Sequence, residues 1–91
     1  MIRRHVGVSG RVQGVWFRQA CAEQARMTRV AGWIRNRRDG GVEAVFEGDA
    51  HSVEAMVEWC RRGPERALVT SVEVTEEEPE GLTGFRVATT A

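Results

Sequence analysis

The run Val8-Ser9-Gly10-Arg11-Val12-Gln13-Gly14-Val15-Trp16-Phe17-Arg18 holds the residues best suited to chemistry. It reads as a strand end, a tight loop and a helix start, with Arg18 in the first helical turn. That order builds an anion site. Loop amides and the first amides of a helix have no intrahelical carbonyl partner, so they are free to point at a bound oxyanion. The helix dipole adds partial positive charge at the same place. Arg18 supplies a permanent charge and a planar fork that matches phosphate oxygens.

The elements that must position this run follow from periodicity. Residues 4–9 read as a strand with Val6 and Val8 on one face, and Gly10 to Val15 as the loop. Phe17, Ala20, Cys21 and Ala25 recur at helical spacing, which predicts a helix over about Trp16 to Thr28. A second strand is predicted over Ala31 to Asn36. Arg37-Arg38-Asp39-Gly40-Gly41 reads as a hairpin turn, because Asp-Gly and Gly-Gly supply the positive φ such turns need. Val42, Ala44 and Phe46 alternate with Glu43, Val45 and Glu47 in a third strand.

Asp49 is a suitable N-cap for a second helix with the stripe Val53, Met56, Val57 and Cys60. Gly63 and Pro64 stop that helix. A fourth strand is predicted over Leu68 to Thr75, a solvated acidic loop over Glu76 to Gly81, and a short last strand over Phe85 to Ala88. The order is βαββαβ with an extra terminal strand. It predicts an α+β fold, a ferredoxin-like sandwich with two helices on one face of a mostly antiparallel sheet.

The chain has 91 residues, enough for one domain, expected over 3–91. Its formal net charge is +0, which argues against a nucleic-acid partner held by bulk charge. Nine arginines against two acids fall in residues 1–41, and four against eleven in residues 42–91. Either the basic half favours an anionic ligand, or the halves interleave and cancel. All 13 basic residues are Arg, which removes Schiff-base chemistry. Cys21 and Cys60 fall on the apolar stripes of the two helices and read as buried, reduced thiols. There is no apolar run long enough for a signal peptide or a membrane span, so the expected setting is the cytoplasm.

Asn36 ends the second strand. By itself it reads as a turn residue that tolerates a left-handed conformation. If the first two strands run antiparallel, their ends point in opposite directions; if the helix returns the chain beside the first strand, Asn36 approaches the loop.

Val12-Gln13-Gly14-Val15-Trp16-Phe17-Arg18, followed by Gly32-Trp33-Ile34-Arg35-Asn36 and a glycine turn, resembles the acylphosphatase family. Trp59-Cys60-Arg61-Arg62-Gly63-Pro64 and Gly84-Phe85-Arg86-Val87 agree, so the resemblance spans nearly the whole chain. It implies a metal-independent, cofactor-free hydrolase that splits acyl phosphates into a carboxylate and inorganic phosphate. It implies that Arg18 binds the phosphate and that Asn36 positions the attacking water. The loop residues Arg11, Val12, Gln13, Gly14 and Val15 would cradle the phosphate through their backbone amides. Two departures stand out. Trp16 occupies a position that is small or Phe-like in the family. Thr28-Arg29-Val30 replaces a common Leu-Gly-Leu, which costs about 1 kcal/mol if Arg29 is left-handed.

The rival readings are a non-catalytic phosphate-, anion- or RNA-binding module and a regulatory or maturation domain. The chain has no Tyr and no aromatic run of the kind that stacks RNA bases. His5 and His51 stand isolated, and a zinc site needs three or four convergent ligands, so no metal is expected. A monomer is expected.

Overall fold

Seven elements follow one another: β1 (Ile2–Arg11), α1 (Phe17–Met27), β2 (Ala31–Asn36), β3 (Val42–Gly48), α2 (Ala50–Arg62), β4 (Leu68–Glu77) and β5 (Phe85–Val87). The computed structural model describes residues 1–90; Ala91, the end of the expected 3–91 domain, lies outside the described residues. The strands form one sheet in the order β4-β1-β3-β2-β5. β3 is antiparallel to both β1 and β2, so β1 and β2 are parallel to each other. Among the described residues, only β5 pairs in parallel with a neighbour, β2. This is the expected ferredoxin-like sandwich. It also decides between the two arrangements open for Asn36: α1 crosses over the sheet and returns the chain in the direction of β1, as a parallel connection requires.

Two strands outrun their expected limits. β1 covers residues 2–11 rather than 4–9, and Gly10 lies in it rather than in the loop. The register against β4 shifts between Ser9 and Gly10. Gly10 has φ 125°, and a Cβ there would sit 2.1 Å from the Leu68 carbonyl oxygen, so only glycine fits. β4 runs on to Glu77 because Arg3 and Arg4 of β1 face Glu77 and Glu76 across the ladder. Ion pairs of 2.7 Å (Arg3–Glu77) and 3.8 Å (Arg4–Glu76) hold that end. The stretch 76–81 is therefore not a solvated loop throughout.

The apolar members of each alternating strand face the helices. Val6 and Val8 of β1, Ile34 of β2 and Val42, Ala44 and Phe46 of β3 pack with Phe17, Cys21 and Ala25 of α1 and Val53, Met56 and Cys60 of α2. Phe17 meets Trp59 edge-to-face at 5.3 Å, which joins the two helices. Cys21 and Cys60 are free and buried. Burial pushes the Cys21 thiol well above its ordinary range, and the adjacent Cys60 thiol adds to the effect, so Cys21 is a packing residue and not a nucleophile.

The two charged halves interleave. Glu47, 1% exposed, accepts from Arg3 at 2.7 Å and from the amides of Glu80, Gly81 and Leu82 at 2.8–3.1 Å. Glu43 accepts from Arg35 at 2.6 Å and lies 2.9 Å from His5, which is therefore not isolated. Arg3, Arg4 and Arg35 of the basic half thus meet acids of the other half. At the end of α1, Arg29 takes φ 60°. The Val30 amide donates to Ala25 and the Arg29 amide to Arg26, which is a Schellman closure made with Arg where Gly is favoured.

Candidate active site

The chain between β1 and α1 carries two left-handed residues. Gly14 has φ 72° and Trp16 φ 66°, while Val15 between them is not left-handed. Left-handed residues set among right-handed ones are the backbone pattern of an anion-binding nest. Trp16 is the N-cap of α1, offers no side-chain hydrogen bond to the helix, and no acid stands in the first turn. The opening amides of α1 therefore have no side-chain cap. A non-glycine residue in the left-handed region costs roughly 1–3 kcal/mol, and Trp16 is 71% exposed; little apolar burial offsets the strain.

A cavity of about 300 Å³ opens here, lined by Val12, Gly14, Trp16, Phe17, Arg18 and Gln19. Its lining contains a guanidinium and backbone amides but no carboxylate, imidazole or thiol. Arg18 is half-buried and makes no ion pair among the described residues. A larger cavity of about 500 Å³ lies beside Gly32, Trp33, Gly84 and Arg86, at the start of β2 and so at the far end of the sheet. The smaller one is the cavity that Arg18 lines.

Of the residues the sequence singles out, Val12, Gly14 and Arg18 line this cavity. Val12 and Val15 bury their side chains, leaving only backbone to offer. Arg11 is exposed at the end of β1, paired with Leu68. Gln13 turns its side chain away, toward the β2–β3 hairpin. Asn36 does not line the cavity, but it shares its edge of the sheet. Val42 pairs with Asn36 on one side and with Val8 on the other. Asn36 is thus two strands from Val8, roughly 10 Å between backbones at ordinary strand spacing, and Val8 stands three residues before the end of β1. The Asn36 Oδ1 is buried and has no hydrogen-bond partner among the described residues. An orphaned acceptor of this kind costs about 1–3 kcal/mol, which a donor brought to it would offset. Periodicity gave no sign of Trp16 as a strained cap, of Gln19 in the lining, or of the Gln13 side-chain contacts.

The acylphosphatase family model matches residues 4–87. The chain belongs to the acylphosphatase family. The acylphosphatase of Haloarcula marismortui is 60% identical over 85 residues, covering 93% of each chain. That of Thermococcus kodakarensis is 55% identical over 86 residues, covering 94% of each. In structure the chain is similar to the crystal structure of acylphosphatase from Bacillus subtilis, with a TM-score of 0.93 and 37% identity over 97% of this chain and 99% of that one. No helix among the described residues is long and apolar enough to cross a membrane.

Proposed function

We propose that the chain hydrolyses acyl phosphates to a carboxylate and inorganic phosphate, with Arg18 and the backbone amides of residues 11–15 holding the phosphate and Asn36 orienting the water. Membership of the acylphosphatase family supports the reaction. The observation that carries the division of labour is the buried, unpartnered Asn36 Oδ1 on the sheet edge that also bears the nest and Arg18.

An acyl phosphate is an activated mixed anhydride whose leaving carboxylate is stable as an anion, since carboxylic acids ionise near pH ~4. No general acid is needed to release it. A loose, metaphosphate-like transition state also asks little of a base. What remains is charge stabilisation, from the amides and Arg18, and alignment, from Asn36. The water attacks phosphorus as the bond to the acyl oxygen breaks, and its proton passes to a phosphate oxygen of the substrate. These steps call for no metal, so turnover is expected to persist with a chelator present. One domain over 3–91, working as a cytoplasmic monomer without a nucleic-acid partner, suffices for this chemistry.

The test is hydrolysis of benzoyl phosphate. Arg18→Gln is expected to lower kcat/KM by about 100-fold or more, because the charge acts on ground and transition states alike. Asn36→Ala is expected to lower kcat by a similar factor, about 100-fold, while inhibition by inorganic phosphate changes little. Full activity in folded Asn36→Ala would remove Asn36 from the mechanism.

A further inference from the structure

We infer that the Gln13 side chain is a positioning residue that locks the phosphate loop in register with Asn36. The inference rests on the water-orienting role proposed for Asn36. Gln13 Nε2 donates to the Arg37 carbonyl at 2.8 Å and to the Gly41 carbonyl at 2.9 Å. Two carbonyl partners identify this atom as the amide nitrogen, the only part of the side chain with two hydrogens to give. Arg37 directly follows Asn36, and Gly41 closes the same hairpin, so one side chain from the loop grips both strands of the hairpin neck.

The hairpin does not need Gln13 to close. The Arg37 amide donates to the Gly41 carbonyl at 2.8 Å, the Gly40 amide to the Arg37 carbonyl at 3.2 Å, and the Gly41 amide to Asp39 Oδ1 at 2.9 Å. Both carbonyls that Gln13 reaches therefore keep a partner in its absence. What its two bonds add is a fixed distance between the chain segment carrying the nest and the one carrying Asn36. Gly41 shows how close the segments lie: a Cβ there would sit 2.7 Å from the Val8 carbonyl oxygen. Phosphate binding is assigned to the backbone amides of residues 11–15 and Arg18, whereas the Gln13 side chain donates to Arg37 and Gly41. In-line attack depends on where the water stands relative to the bound phosphate, and a misplacement of about 1 Å costs up to about 100-fold in rate.

Gln13→Met keeps the length of the side chain and removes both donors. Turnover of benzoyl phosphate and inhibition by inorganic phosphate are measured for Gln13→Met, Asn36→Ala and the double variant, each confirmed folded by circular dichroism; Gln13→Leu, which also removes both donors without adding a charge, replaces Gln13→Met if the latter does not fold. The expected result is a kcat lowered about 10- to 100-fold in the Gln13 variant, a phosphate Ki within about twofold of wild type, and no further loss of kcat in the double variant. Wild-type kcat in the Gln13 variant beside an impaired Asn36→Ala overturns the inference alone. So does a loss that multiplies in full with that of Asn36→Ala, or a Ki that rises in parallel. Wild-type kcat in Asn36→Ala overturns the Asn36 reading and the inference with it.

Discussion

The two helices begin in opposite ways. Asp49 caps α2 with extended backbone (φ −58°, ψ 136°), and its carboxylate accepts from the Ser52 amide at 3.2 Å. α1 starts from Trp16 in the left-handed region, without a side-chain cap, and with Arg18 in its first turn. A cation at that end of a helix opposes the dipole by about 0.3–1 kcal/mol. Strained backbone, uncapped amides and a misplaced positive charge each destabilise the empty protein. A single bound anion answers the last two at once. α2 satisfies its own N-terminus and contributes packing; α1 leaves its N-terminus without a side-chain cap. Both helices pack into one core, so the difference lies in how their first turns are closed.

If that contrast holds, stability and anion binding separate under mutation. The largest stability loss is expected at the end of the sheet away from the start of α1, at Glu47. Glu47→Ala leaves Arg3 buried without its inner partner and frees three amides, costing about 3 kcal/mol or more in chemical denaturation, with phosphate inhibition unchanged. The same group predicts acid sensitivity. Burial alone would raise the Glu47 carboxyl, but the Glu80 amide, Arg3 and the amides of Leu82 and Gly81 outweigh it and hold it below its ordinary value. A lowered folded-state value means that stability is fully present above the ordinary carboxylate range and is lost as pH falls through the folded value. Denaturation midpoints measured down from pH 6 should fall at the acid end in wild type and fall less in Glu47→Ala.

A carboxylate at the open terminus inverts its electrostatics. Trp16→Asp places a negative charge beside the nest and is expected to raise both KM and the phosphate Ki by about tenfold, as for a like charge worth about 1–2 kcal/mol near the surface. Unchanged KM would mean that the anion does not sit at the start of α1. The smallest effect is expected at the capped terminus. Asp49→Ala should cost about 1 kcal/mol of stability and leave kcat/KM as it was.

What the sequence discloses about this molecule is uneven for physical reasons. Asp49, Gly63 and the limits of β2 are local features, set by capping and periodicity, and the structure has them where they are read. The left-handed Arg29 was readable as a missing glycine. The excess length of β4 was not, because it depends on Arg3 and Arg4 reaching acids more than seventy residues away. Arg18 and Asn36 are conspicuous as parts of paired motifs, but their common edge follows from the parallel relation of β1 and β2, which neither segment encodes alone. The Gln13 bonds to Arg37 and Gly41 lie beyond periodicity altogether, since they join a loop to a hairpin across 24 and 28 residues.

The most direct measurement is a titration of ¹⁵N-labelled protein with inorganic phosphate, followed by amide chemical shifts. Saturable shifts confined to the amides of residues 12–19, absent in Arg18→Gln and absent at the start of α2, are the predicted result. Shifts at Ala50 to Val53 instead, or none at Gly14 to Gln19, would contradict the assignment of the open helix terminus as the phosphate site.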